Sequence, residues 1–219
     1  MEALGILLPL ALAVAFSTVP LTAMIIILLS PRSRRAGPAF LAGTALGTFI
    51  ITYLFTYGLL SLPQGFGVFR PDAVAVVELV VGVLLIAFGT WSLLRPPVES
   101  ARRKAWTKRL SNIGPLAAFG VSLALCLRPK ALVFGIAAGL AIGGTTSDPI
   151  GAAILVLIYT VIGSSTIAIP VLMAWRSPEK MQSRLLRARN WLTRNSRWVS
   201  FIVTLMVGVV LVGDALTQL

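Results

Sequence analysis

Two basic residues flank a proline deep inside an apolar run: Arg128, Pro129 and Lys130 interrupt a stretch from Leu116 to Ile142 that is otherwise uncharged. A charge at membrane depth costs from about 2.5 kcal/mol upward, so it calls for a compensating partner. Two cations beside a helix break are the natural makings of an anion site for phosphate, sulfate or carboxylate. The competing reading is that both side chains snorkel to the interface. Counted from Gly114, Arg128 sits ~21 Å along a straight helix, which is far for snorkelling. A second proline, Pro20, lies inside the first apolar run, with Ser17, Thr18 and Thr22 around it. Proline removes a backbone donor and clashes with the preceding turn, so each run is expected to break or kink there. Paired breaks in corresponding places of two halves point to a transporter's midplane site, with ordinary kinks as the alternative. The candidate substrate-binding residues are therefore Arg128, Pro129, Lys130, Pro20, Ser17 and Thr18. Glu78, in the third run, is the candidate for proton coupling or a counter-ion, or else it reaches the outer interface.

Other chemistry is excluded by composition. The chain has no histidine and one cysteine, Cys126. Histidine-based metal sites, Ser-His-Asp or Cys-His catalysis, an internal disulfide and a CxxC redox pair are all ruled out. We expect no enzyme activity, no cofactor and no metal.

The elements that must hold these residues are membrane helices. Of 219 residues, 57% are hydrophobic and 12% charged, against about 25% charged in an ordinary soluble domain. The apolar runs are Gly5–Leu29, Ala39–Leu62, Ala73–Leu94, Gly114–Ile142, Ile150–Trp175 and Val199–Leu216. Most reach the ~20 residues that cross a bilayer, where unpaired backbone groups cannot be hydrated and the chain must be helical. The first run is not read as a signal peptide, since Glu2 precedes it and no basic residue does.

The net charge of +12 could suggest nucleic acid, but its distribution argues otherwise. Arg32, Arg34 and Arg35 lie in the first connection, six basic residues from Arg95 to Arg109 in the third, and seven from Arg176 to Arg197 in the fifth. The second and fourth connections hold only Arg70 between them. The positive-inside rule then makes the odd connections cytoplasmic and both termini extracytoplasmic, in the plasma (inner) membrane of a bacterium. From Glu179 to Arg197, Met181, Leu185, Leu186 and Trp191 among the arginines read as an amphipathic helix on an anionic leaflet, or as a solvated basic loop.

The expected fold is an all-α membrane protein of six transmembrane helices, forming one domain over residues 1–219. Two inverted three-helix repeats, about 1–94 and 114–219, would be joined by a basic cytoplasmic linker, 95–113, with a broken helix in each half. Gly43-x-x-x-Gly47 and Gly135-x-x-x-Gly139 permit close helix approach.

Ser17-Thr18-Val19-Pro20, then Leu29-Ser30-Pro31-Arg32-Ser33-Arg34-Arg35-x-Gly37-Pro38-Ala39-Phe40-Leu41-x-Gly43, resembles the glycolipid-addressing protein family. That family includes the sulfolipid-addressing proteins and belongs to the lysine exporter superfamily. Arg128-Pro129-Lys130-Ala131-Leu132, leading to Gly135-Ile136-Ala137-Ala138-Gly139, is similar to its Asn-Pro-Lys motif and following helix. Thr18 stands where the family usually has a further proline, and Arg128 where it usually has asparagine. The resemblance implies inverted three-helix repeats and a role in moving glycolipids to the cell surface. The function expected is a transporter or flippase exporting an anionic lipid or glycolipid. The alternatives are a small-solute exporter, for an amino acid or ion, and a non-transporting scaffold of a lipid-export complex. Expected partners are membrane lipids and the lipid substrate, with assembly as a homodimer or within a larger lipid-export complex, and no nucleic acid.

Overall fold

The computed structural model describes residues 2–60, 71–94, 110–146, 148–176 and 178–218. Among them every regular element is helical: α1 (Glu2–Ala15), α2 (Thr18–Leu28), α3 (Ser33–Leu60), α4 (Pro71–Leu94), α5 (Pro115–Cys126), α6 (Pro129–Thr145), α7 (Pro149–Arg176) and α8 (Pro178–Gln218). The chain is an all-α membrane protein. Three helices, α3, α7 and α8, are each long and apolar enough to cross a bilayer. Two bent pairs, α1–α2 at 41° and α5–α6 at 68°, raise the candidates to five. Helix α4 occupies the third expected run, with Gly82–Trp91 as its apolar described part. The basic segment Arg95–Arg109 lies outside the described residues.

Both expected breaks are present, and the prolines explain where they fall. Pro129 is the first residue of α6 and Pro20 the third of α2. In a first turn the backbone N–H has no intrahelical acceptor, so proline loses nothing and its fixed φ suits the helix. The prolines therefore open the second half-helices instead of kinking a continuous one. Two boundaries differ from expectation. Helix α3 starts at Ser33, six residues before the apolar run, and carries Pro38 within its early turns. The amphipathic stretch from Glu179 is helical, but it is not a separate surface element. It runs without interruption into the last apolar run as the 41-residue α8, because no proline or glycine intervenes between Pro178 and Gly208.

Glycines set the helix spacing. A Cβ on Gly47 of α3 would lie 2.9 Å from the Cys126 Sγ of α5, and one on Gly139 of α6 would lie 3.1 Å from the Thr56 amide of α3. Gly82 of α4 and Gly208 of α8 face one another, each Cβ falling within 3.0 Å of the other's carbonyl oxygen. Such small-residue seams let backbones approach where lipid offers no hydrophobic drive to associate. Leu54, Leu84, Val161, Ile169 and Ile202 are each more than half exposed, as befits a surface solvated by acyl chains.

The interior holds two apolar cores. Met24, Ile27, Leu28, Phe40, Ala118, Ile167 and Val171 pack with Leu110, Leu185 and Leu192 at the end that carries the arginines, where Arg32 donates to the Asn112 carbonyl oxygen at 3.2 Å. Leu7, Leu10, Phe134, Ile142, Val156, Val207 and Leu211 pack at the far end. Helices α2 and α5 feed the arginine-end core, while α1 and α6 feed the far-end core. The two breaks thus fall at the level where one core gives way to the other.

Candidate functional site

A cavity of about 360 Å³ occupies that level. The first break contributes Ser17, Thr18, Val19 and Pro20, and the second contributes Arg128, Pro129, Lys130 and Ala131. All six substrate-binding candidates therefore line one space, although they come from opposite halves of the chain. Glu78 is on α4, and its side chain lies outside the described residues. Among the described residues of α4, Gly89 reaches the cavity.

The local folding of both breaks points amide groups at the cavity. Ser17 caps α2 with φ −63°, ψ 114°, and Arg128 caps α6 with φ −69°, ψ 146°. Neither cap side chain bonds to its own helix. The first backbone amides to find a helical partner are Leu21, to the Ser17 carbonyl oxygen at 3.3 Å, and Leu132, to that of Arg128 at 2.9 Å. The earlier amides of Thr18 and Val19, and of Lys130 and Ala131, have no acceptor within their helices. Two helix N-termini, each with a partial positive charge, thus meet one space.

Electrostatics add to this. Lys130 is partly buried, donates to the Thr204 Oγ1 of α8 at 2.7 Å and lies 5.6 Å from the centre of the Phe134 ring. Arg128 is exposed at the break, beside Leu127, which is 63% exposed. Among the described residues, the charged group acting on Lys130 is Arg128, a like charge. Asp148 is the single acidic side chain among the described residues, and it caps α7 at the far end, accepting from the Gly151 amide at 2.8 Å. No described carboxylate offsets the two cations. Among the described residues the cavity is therefore lined by cations without a carboxylate and has one exposed edge at Leu127 and Arg128, an arrangement suited to an anionic group. No group of acidic, cysteine or histidine residues that could hold a metal occurs among the described residues.

A match spans nearly the whole chain: the family model of Sap, the sulfolipid-1-addressing protein, covers residues 7–217. The chain belongs to this family. Membership in the Sap family agrees with the resemblance carried by the Pro20 and Pro129 motifs. Comparison of this Sap-family chain with curated proteins and with solved structures gives no match.

Several lining residues of this Sap-family site escaped the sequence reading. Helix α8 supplies Ser200, Phe201 and Thr204; α3 supplies Thr44, Thr48 and Thr52; α5 supplies Ser122 and Cys126. The signal available was a four-residue spacing of threonines in α3 and a hydroxyl pair one turn apart in α8. Tyr159, without a role in the sequence, is buried at the cavity wall and donates to the Phe134 carbonyl oxygen at 3.2 Å. Ser164 and Ser165 fall outside the lining, and Ser165 bonds the Ile162 carbonyl oxygen at 2.6 Å.

Proposed function

We propose that this protein is a transporter or flippase that moves an anionic lipid or glycolipid outward across a bacterial plasma membrane. The observation that carries the reading is the pair Arg128 and Lys130, with no carboxylate beside them among the described residues, facing the same cavity as two half-helix N-termini. At about 360 Å³ the cavity is near the small end of ligand sites, a size that suits a headgroup better than a whole lipid. The exposed edge at Leu127 and Arg128 lets an acyl tail stay in the bilayer while the headgroup enters. Arginine-bearing connections at one end support a cytoplasmic placement of that end, with both termini outside.

The order of elements supports two inverted repeats: a broken pair, then two long helices, occurs twice. Packing partners exchange in the same sense, since α1 meets α7 as α5 meets α3, and α4 meets α8. Rocking of one repeat on the other then gives alternating access. The protein acts without chemical turnover of its substrate, as a homodimer or within a larger lipid-export complex.

The hydroxyl-rich wall of α3 favours a second reading, export of a small soluble anion or amino acid. Purified protein in liposomes separates the two. Wild type, Arg128→Ala and Lys130→Ala are compared for headgroup-resolved lipid movement and for efflux of loaded solutes. Movement of an anionic lipid by wild type, lost in both variants with folding intact, supports the lipid reading. Solute efflux without lipid movement supports the second, and neither activity supports a scaffold.

A further inference from the structure

The cavity wall on α3 belongs to a longer feature. Thr44, Thr48, Thr52 and Thr56 recur every four residues, so they share one helix face, and all four are at most 8% exposed. The stripe covers ~18 Å of helix. Its first three members line the cavity, and Thr56 continues it toward the far end. Thr44 donates to the Phe40 carbonyl oxygen at 2.9 Å and Thr56 to that of Thr52 at 2.9 Å, while the Cys126 thiol donates to the Thr44 carbonyl oxygen at 3.8 Å. Thr52 differs. It is fully buried, lines the cavity, and its Oγ1 has no partner among the described residues. A buried hydroxyl left unpaired is costly, and native structures rarely keep one without a reason.

Helix α6 meets this stripe with bare backbone. A Cβ on Gly139 would stand 3.2 Å from the Thr52 carbonyl oxygen, and one on Gly143 would stand 3.6 Å from that of Thr56. Phe55 and Ile51 pack the same seam, at Gly139 and Gly135, and the Thr52 Oγ1 lies 3.9 Å from a Cβ placed on Gly135. Once parted, the seam bares threonine hydroxyls on α3 and peptide groups on α6. The other glycine seams do not carry this stripe to the far end: Gly163 of α7 meets Val14 of α1, and Gly82 of α4 meets Val212, Leu211 and the Gly208 carbonyl oxygen of α8.

We infer that the α3–α6 seam is the route by which a headgroup held in the cavity leaves toward the end opposite the arginines, with Thr52 the first group on α3 that it bonds. This rests on the transport reading above. The headgroup exchanges contacts with Arg128 and Lys130 for successive threonine hydroxyls while α6 separates from α3. The glycines keep the seam closed when the cavity is empty, and the Thr52 hydroxyl waits at its mouth.

The test locks the seam. Thr56→Cys combined with Gly143→Cys, both outside the cavity lining, is oxidised to a disulfide whose pairing is read by mass. Movement is followed in vesicles containing phosphatidylglycerol, a sulfated glycolipid and a phosphorylated glycolipid. The reduced protein is expected to move lipid more slowly than wild type for want of the Thr56 hydroxyl, the oxidised protein to stop, and reductant to restore the reduced rate. Oxidised protein that works at the reduced rate overturns the inference while leaving the transport reading intact. Wild type that moves none of the three lipids overturns the transport reading, and the inference with it. Independently, Thr52→Val is expected to slow movement about tenfold, the worth of a lost hydrogen bond in the passing state, and to raise the melting temperature by removing the orphan hydroxyl. Thr52→Ser keeps the wild-type rate. A fast Thr52→Val variant overturns the role of this hydroxyl.

Discussion

The Lys130 ammonium donates to the Thr204 hydroxyl at 2.7 Å, and that hydroxyl donates in turn to the Ser200 carbonyl oxygen at 2.7 Å. One turn away, the Ser200 hydroxyl lies 3.3 Å from that of Thr18. Helix α8 is thereby tied to the second half-helix of both bent pairs. The tie to Lys130 is a neutral one, so an arriving anion competes with Thr204 for the ammonium and wins by charge.

Thr204→Val removes that competitor. The ammonium then keeps only the Phe134 ring and has no hydrogen-bond partner among the described residues, and the free protein loses about 1–2 kcal/mol of stability. Because only the empty state is weakened, binding of an anionic headgroup becomes tighter. Thermal melts with and without a soluble sugar phosphate check both signs: a lower melting point alone, and a larger rise on adding ligand.

Arg128→Asn tests the charge at the cavity edge. A charge-assisted hydrogen bond contributes about 1.5–3 kcal/mol, so affinity for an anionic headgroup falls roughly tenfold to a hundredfold. Binding of a zwitterionic headgroup stays the same. Equal losses for both lipids would show that Arg128 acts through packing.

Gly43→Ala probes the α3–α5 contact. Its new Cβ would lie 2.7 Å from the Phe119 carbonyl oxygen and run into the Ser122 hydroxyl, an overpacking that costs about 1–3 kcal/mol. Gly120→Ala, where a Cβ meets nothing within 4 Å, is neutral or gains up to about 1 kcal/mol of helix propensity. Denaturation of the two variants in detergent measures the contrast.

Cys126 is a built-in reporter. It is the only thiol of the chain, lines the cavity and is 8% exposed. Small alkylating reagents are expected to label it slowly, and a headgroup in the cavity to slow labelling further. Mass spectrometry of timed samples reads the rate; labelling unchanged by any anionic lipid would count against occupancy of this space.

What was legible in the sequence were the interruptions. A proline or a charge inside twenty apolar residues is conspicuous because lipid penalises it, and Pro20, Arg128, Pro129 and Lys130 all proved to line one cavity. The threonine stripe was not legible in the same way. A threonine in a membrane helix ordinarily bonds the carbonyl four residues back, as Thr56 does to Thr52, and nothing in the sequence marks the one whose hydroxyl is left unpaired. The start of α3 at Ser33 lay hidden ahead of the apolar run that begins at Ala39, because Arg34, Arg35 and Pro38 are not apolar, whereas a proline near a helix beginning forfeits a single bond. The join within α8 was hidden by composition. Arginines give way to apolar residues near Val199, which looks like a boundary between elements, although backbone geometry follows proline and glycine and not polarity.

That join makes α8 a single strut. Its arginine-rich portion, anchored by Leu185 and Leu192 in one core, and its apolar portion, anchored by Val207 and Leu211 in the other, cannot tilt separately. From Trp191 to Thr204 is ~20 Å of unbroken helix. A displacement imposed on the basic half, by lipid or by protein, is delivered to the hydroxyls that hold Lys130 and Thr18. The outer surface of this protein and its innermost polar contacts share one lever arm.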